Sequence, residues 1–358
     1  MLVEEVELRP LGLSDVLVRI RAANACVTDA ILIGLTGSRP RFEMPMPQIL
    51  GHGGVGIVEA VGSEVHVVRP GDRVIASANP LCGSCYYCLR GRPDQCAQIV
   101  MVGPANGRVA DGQETFPNAN IGSYAEYSIV PDTQVTPVET TVPDDELALL
   151  ADGVGGGLGA VFNTAPVQMG SSVAVFGCGA TGLAYIQGAR VAGASQIIAI
   201  DPIASRRQLA AELGATDLVD PSAGDVIGMV QELTPDVGGF SGRGVEYAFE
   251  ASGDAKAIEQ AWAVTRAAGH VVLASVTHDQ NASVTFPAIP LAMFGKTIHS
   301  CQWGWINIRR DLPRFIRLIE AGQVQVRPLV TRHYPLEDLN EALADVAARR
   351  NLGAIMTP

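Results

Sequence analysis

Four cysteines fall in one short stretch, as Cys82-x2-Cys85-x2-Cys88-x7-Cys96. Four thiolates at this spacing can close a tetrahedron around Zn²⁺ and leave no coordination position open. A closed site of that kind is structural: it folds a lobe with little apolar core of its own. An iron–sulfur cluster is the alternative occupant, since it takes the same four donors. Gly83 and Gly91 allow the sharp turns between ligands, and four idle thiols would be out of place in so polar a loop. The other three cysteines, Cys26, Cys178 and Cys301, are scattered. An odd total without a secretion signal points to metal or catalysis, not to a disulfide framework.

A second stretch, Gly177-Cys178-Gly179-Ala180-Thr181-Gly182, matches G-x-G-x-x-G. The pattern alone is weak in a chain with 39 glycines, but its context is specific. It follows the apolar run Val173-Ala174-Val175-Phe176 and opens a helical segment. A second apolar run, Ile197-Ile198-Ala199-Ile200, then ends at Asp201. Gly177 permits the tight turn, Gly179 lets backbone approach a pyrophosphate, and Gly182 lets helix pack on strand. The helix N-terminus offers unpaired N–H groups and the positive end of a dipole. Asp201 is expected to accept from both ribose hydroxyls and to repel a 2′-phosphate, which favours NAD over NADP. Arg206 and Arg207 lie near enough in sequence to soften that preference. The bland alternative is a βαβ turn whose glycines serve packing only.

These groups need elements to hold them. Residues 1 to about 150 read as short strands and turns. Examples are Val16–Ile20, Val55–Val61 and Asp72–Ile75, punctuated by Gly62 and Pro70-Gly71. An antiparallel, barrel-like domain is expected there. After Asp152, strands alternate with helices, and Val245–Phe249 and Val271–Ala274 continue the series, so a doubly wound parallel sheet is expected. Past residue 296, Leu312–Ala321 and Leu336–Ala348 read as amphipathic helices. The chain of 358 residues suits two domains.

Composition bounds the function. A net charge of −12 argues against nucleic acid as partner, because phosphate binding needs a basic face. No apolar run is long enough to span a bilayer. The acidic start Met1-Leu2-Val3-Glu4-Glu5 lacks the features of a signal peptide, so a cytoplasmic location is expected.

Several further motifs carry a resemblance. They are Cys26-Val27-Thr28-Asp29, Gly51-His52-Gly53-Gly54-Val55-Gly56, Val68-Arg69-Pro70-Gly71-Asp72-Arg73-Val74 and Gly122-Ser123-Tyr124-Ala125-Glu126-Tyr127. With the cysteine lobe and the glycine loop they stand in the order of the zinc-dependent medium-chain dehydrogenase/reductase (alcohol dehydrogenase) family, which the chain resembles along nearly its whole length. The resemblance implies a GroES-like, mainly-β catalytic domain over 1–152 and 296–358, with the zinc lobe at 82–96. A Rossmann NAD-binding domain is implied over 153–295. It also implies a homodimer or homotetramer paired through Rossmann-domain edges, and a small alcohol or aldehyde as substrate.

In that family a second zinc does the chemistry. Its first two ligands match Cys26 and His52, and the third position matches Asp152, a competent zinc ligand. Thr28 is implied as first proton acceptor, and Asp29 as partner of the other nitrogen of His52. The chain also departs from the pattern. Gly53 replaces a glutamate, Val27 a basic residue, Ile31 the outer histidine of a proton relay, and Gly353 a phosphate-binding arginine. Ala78 replaces an aromatic ring, which implies a wider substrate pocket that Trp303 and Trp305 could line.

The expected function is hydride transfer between NAD(H) and an alcohol, aldehyde or ketone carbon. Zinc would act there as Lewis acid. One rival is a reductase of the same fold without catalytic zinc, acting on an iminium or activated alkene; Gly53, Ile31 and Asp152 favour it. The other is a non-catalytic dinucleotide-binding sensor.

Overall fold

The protein is described from a computed structural model, which covers residues 1–36, 44–239, 242–274, 279 and 281–358. It divides into two compact units. Unit 1 comprises Met1–Gly155, Ile306–Gly322 and Val326–Pro358; unit 2 comprises Gly156–Trp305 and Gln323–Gln325.

In unit 1 the long strand Asp15–Ala25 buries Val16, Val18, Ile20 and Ala22 on alternate positions, the period-2 pattern of a half-buried strand. It is the hub of a seven-stranded sheet. Gly353–Thr357, Gly53–Val61 and Tyr127–Pro131 all pair with it in antiparallel fashion. Arg73–Ser77 and Val135–Pro137 extend the sheet on one side, and Val330–Pro335 closes the other. A smaller sheet orders Val6–Leu8, Gly107–Val109, Glu114–Pro117 and Gln48–Ile49. The short helix Val27–Leu32 leaves the end of the long strand directly after Cys26.

Two helices follow the sequence reading with shifted bounds. The expected Leu312–Ala321 helix runs Ile308–Glu320, because the Asn307 side chain caps it by accepting from Arg310 N–H at 3.0 Å. Its buried residues Ile308, Leu312, Phe315 and Ile316 lie on one stripe. The Leu336–Ala348 segment is a 3₁₀ turn, Leu336–Asp338, leading into the helix Leu339–Ala347.

Unit 2 is built on a six-stranded parallel sheet. Its order is Asp217–Val219, Gln196–Ile200, Ser172–Phe176, Val245–Glu250, Thr265–Leu273 and Thr297–Ser300. In chain order this is 3-2-1-4-5-6, the doubly wound dinucleotide-binding arrangement. The first strand is buried at all its positions, as a sheet covered on both faces requires. Helices Val226–Leu233 and Ala255–Val264 close one core with Phe176, Ile198, Ile200, Ala248 and Trp262.

The domain bounds differ from the sequence reading: residues 153–155, expected in the second domain, fall in unit 1, and residues 323–325, expected in the first, fall in unit 2. Residues 296–305, expected in the first domain, belong to unit 2, because Thr297–Ser300 pairs in parallel with Thr265–Leu273 as the sixth strand. Among the described residues no single helix is long and apolar enough to cross a membrane.

Candidate active site

Within unit 1, Cys26, His52 and Asp152 converge, with one donor atom from each lying within 4.8 Å of the others. Three elements deliver them. Cys26 is the N-terminal flank of the helix Val27–Leu32. His52 immediately precedes the strand Gly53–Val61. Asp152 sits between the helices Asp144–Leu150 and Gly153–Gly159. Gly51 makes the approach of His52 possible: its φ is +89°, and a Cβ there would run into Ser123 Oγ and the Tyr124 ring.

The imidazole is oriented from behind. His52 Nδ1 lies 3.2 Å from Asp29 Oδ1, so an Nδ1–H donates to this fully buried carboxylate and Nε2 is turned towards Asp152. Gly51 N–H donates to the same Asp29 oxygen at 3.3 Å, and Tyr124 O–H donates to the other at 2.6 Å. Asn24 donates its side-chain N–H to Asp152 Oδ2 at 3.1 Å. The Cys26 thiol donates to Thr28 Oγ1 at 3.5 Å.

Electrostatics follow from burial and charge. Burial pushes the Cys26 thiol pKa up. Burial also disfavours a charged His52, but Asp29 and Asp152 outweigh it and hold the imidazole well above its ordinary value. His52 in turn keeps the Asp152 carboxyl below the usual range despite burial.

The donor set fits zinc. Two ligand atoms about 2.0–2.1 Å from Zn²⁺ in a tetrahedron stand roughly 3.4 Å apart. His52 Nε2 and Asp152 Oδ2 are 3.4 Å apart. Three protein ligands leave the fourth position open.

The Cys82, Cys85, Cys88 and Cys96 sulfurs also lie within 4.8 Å of one another. Cys82 and Cys88 Sγ are 3.9 Å apart, against roughly 3.8 Å for two thiolates on a tetrahedral zinc. Backbone N–H groups are aimed at the sulfurs: Cys85 N at Cys82 (3.4 Å), and Cys88 N and Ala97 N at Cys85 (3.5 Å each). The N–H groups of Ala97 and Cys88 pull the Cys85 thiol down to about 6. Burial pushes Cys88 up to about 12. Beside the cluster, the fully buried Asp94 takes a bidentate contact from Arg92 at 2.8 and 2.7 Å.

In unit 2 the glycine loop joins the first strand to the helix Ala180–Val191, whose first turn holds Ala180, Thr181 and Gly182. A Cβ at Gly182 would collide with Gly177 O, whereas one at Gly179 would meet nothing within 4 Å. Gly182 therefore serves packing, and Gly179 faces open space where a pyrophosphate could approach. No side chain caps this helix, so its first N–H groups suit an anion. The Cys178 thiol is fully buried, and burial pushes it up to about 12. Asp201 follows the second strand and is 3% exposed. Its Oδ2 accepts from Cys178 N–H and its Oδ1 from Ile203 N–H, each at 2.8 Å. The carboxylate thus braces the loop as well as standing where a ribose would be read. Arg207 donates to Asp201 O at 2.5 Å and pairs with Asp220 at 2.9 Å. Arg206 lies in the first turn of Ala204–Leu213, within electrostatic reach of the Cys178 thiol.

Sequence reasoning gave no role to Asn24 or Tyr124. Tyr124 stands in a quoted motif, but its link to Asp29 spans 95 residues and leaves no local pattern. Trp303 and Trp305, considered above for a substrate pocket, flank Gly304 in a left-handed run. Trp305 donates its indole N–H to Ser300 O at 2.9 Å and meets the His299 ring edge-on.

The chain matches the family model described as alcohol dehydrogenase GroES-like domain over residues 12–140. It matches the one described as zinc-binding dehydrogenase over residues 180–321. It is 33% identical over 354 residues to the S-(hydroxymethyl)glutathione dehydrogenase of Saccharomyces cerevisiae, covering 96% of this chain and 89% of that one. It is 32% identical over 365 residues to the NDMA-dependent alcohol dehydrogenase of Amycolatopsis methanolica, covering 99% and 95%. Among solved structures, an alcohol dehydrogenase zinc-binding domain protein from Burkholderia ambifaria gives a TM-score of 0.90 at 31% identity, covering 99% of this chain and 94% of that one. Benzyl alcohol dehydrogenase from Acinetobacter calcoaceticus gives 0.87 at 29%, covering 98% and 94%.

Proposed function

Because the chain belongs to the zinc-dependent medium-chain dehydrogenase/reductase (alcohol dehydrogenase) family, we propose that it oxidises an alcohol or reduces an aldehyde at a zinc held by Cys26, His52 and Asp152, with NAD as hydride carrier. The observation that carries this reading is the convergence of those three donors with Asp29 behind the histidine. When bound, zinc supplies Lewis acidity to the substrate oxygen, and the nicotinamide takes or returns the hydride.

The chain's own residues supply the rest. Asp29 keeps the proton of His52 on Nδ1, and Tyr124 and Gly51 hold Asp29 in place. Thr28 Oγ1, next to the Cys26 sulfur, is the group that takes the alcohol proton and passes its own towards solvent. Cys82, Cys85, Cys88 and Cys96 hold a structural zinc. The glycine loop and the uncapped helix start seat the pyrophosphate, and Asp201 reads the ribose and selects NAD over NADP.

The edge strand Thr297–Ser300 and the exposed Ile289, Leu291 and Met293, which precede it in sequence, support pairing into a homodimer or homotetramer. Seven free cysteines suit a reducing, cytoplasmic setting.

Zinc per chain tests the reading. About two zinc ions in the parent and about one in Asp152→Ala are expected. About one in both proteins would sink the Lewis-acid mechanism and turn attention to zinc-free reduction of an iminium or alkene.

A further inference from the structure

Asp152 differs from a cysteine ligand in a way that creates a geometric demand. A thiolate has one donor atom, and one torsion places it. A carboxylate has two chemically equal oxygens and a second, broad torsion. Left alone, Asp152 could turn either oxygen, or both, towards a metal. Something in the chain must choose.

His52, Cys26 and Asn24 all hydrogen-bond the Asp152 carboxylate, and of these three Asn24 alone is not itself assigned as a ligand, so it remains a hydrogen-bond donor when the other two hold a metal. The Asn24 side-chain N–H donates to Asp152 Oδ2 at 3.1 Å, and this same oxygen lies 3.4 Å from His52 Nε2. Asn24 is itself held. It lies on the hub strand Asp15–Ala25, with Ile355 opposite it in the antiparallel pairing. The rigid strand therefore fixes the amide, and the amide fixes the carboxylate.

We propose that Asn24 is a positioning residue of the metal centre: it fixes the torsion of the Asp152 carboxylate so that a single oxygen faces His52, a task that exists only because the third ligand is an aspartate. The inference rests on the assignment of Cys26, His52 and Asp152 as metal ligands.

The experiment is a double-mutant cycle on metal affinity. Asn24→Leu keeps the shape of the side chain and removes the donor, and Asp152→Cys replaces the ambiguous carboxylate by a single sulfur. Affinity for the second equivalent of Zn²⁺ is measured by chelator competition, and Co²⁺ absorption in the visible reports ligand geometry. The cysteine-lobe metal serves as an internal control for folding. Asn24→Leu is expected to weaken the second equivalent by about 10–100-fold and to alter the Co²⁺ spectrum. In the Asp152→Cys background the same change is expected to cost less than about 2-fold, since orientation of a carboxylate is what such partners supply. Undiminished affinity in Asn24→Leu would overturn the proposal. So would equal losses in both backgrounds, which would reduce Asn24 to a prop of its strand. A parent chain that binds only the lobe metal would instead bring down the metal assignment itself, a separate and recognisable failure.

Discussion

The cysteine lobe and the Cys26–His52–Asp152 cluster are both side-chain sets in unit 1 that could hold a metal, yet they are built in opposite ways. The lobe draws four identical donors from one loop, residues 82–96, and lines them with backbone N–H groups. The other cluster draws three different donors from distant parts of the chain and supports them with side chains: Asp29, Tyr124 and Asn24. A metal in the lobe would have no open position and could only hold structure. A metal on the other cluster would have one protein ligand fewer, and a substrate oxygen could take the position left open. A local loop suffices for a passive tetrahedron. A reactive one needs the rigidity of a whole sheet.

The sharpest break between the two should come from losing one ligand of each. Asp152→Ala is expected to lower kcat/KM by about 10³-fold or more, because Lewis-acid stabilisation is worth several kcal/mol. Its unfolding midpoint should stay near that of the parent. Cys85→Ser is expected to do the reverse: it should lower the midpoint by at least about 5 °C, since structural zinc binding is folding free energy. The turnover of the fraction still folded should fall less than about 3-fold, as a purely structural metal requires. A Cys85→Ser protein that is stable but inactive would erase the distinction drawn between the sites. Steady-state kinetics and calorimetry on both variants decide it.

A finer test concerns the supporting side chains. Tyr124→Phe removes one hydrogen bond to Asp29, worth about 1.5–3 kcal/mol to a charged acceptor. Weakening of the second zinc by roughly 10–150-fold is expected on that figure, with the lobe zinc untouched. Zinc titration of the variant reads it directly. No change would mean that the histidine is held by Asp29 without help.

The same contrast explains what was legible in the sequence. The lobe and the glycine loop are contiguous, so spacing alone displayed their chemistry. Four of the six strands of the parallel sheet were equally plain, because burial on both faces writes continuous apolar runs such as Ser172–Phe176, whereas the short Asp217–Val219 and Thr297–Ser300 carry no such run. Cys26, His52 and Asp152 became visible together only through the order of motifs in a family, since nothing in their local pattern joins them. Asn24 and Tyr124 stayed hidden because their bonds to Asp152 and Asp29 cross 128 and 95 residues. The domain boundary was misplaced at 296 for a related reason. Thr297–Ser300 is short and mostly exposed, so it lacks the apolar signature of its sister strands, and only its pairing with Thr265–Leu273 reveals its place.

Asp201 carries a consequence for how this chain can change. Its carboxylate is bonded to Cys178 N–H in the glycine loop and to Ile203 N–H ahead of the next helix. If Asp201 also reads the ribose, as proposed, a replacement by a residue without an oxygen acceptor would remove both the charge and the tether at once. Cofactor preference and loop anchorage would then be inherited as one trait, and a lineage drifting towards NADP would need a second change to hold Cys178 in place.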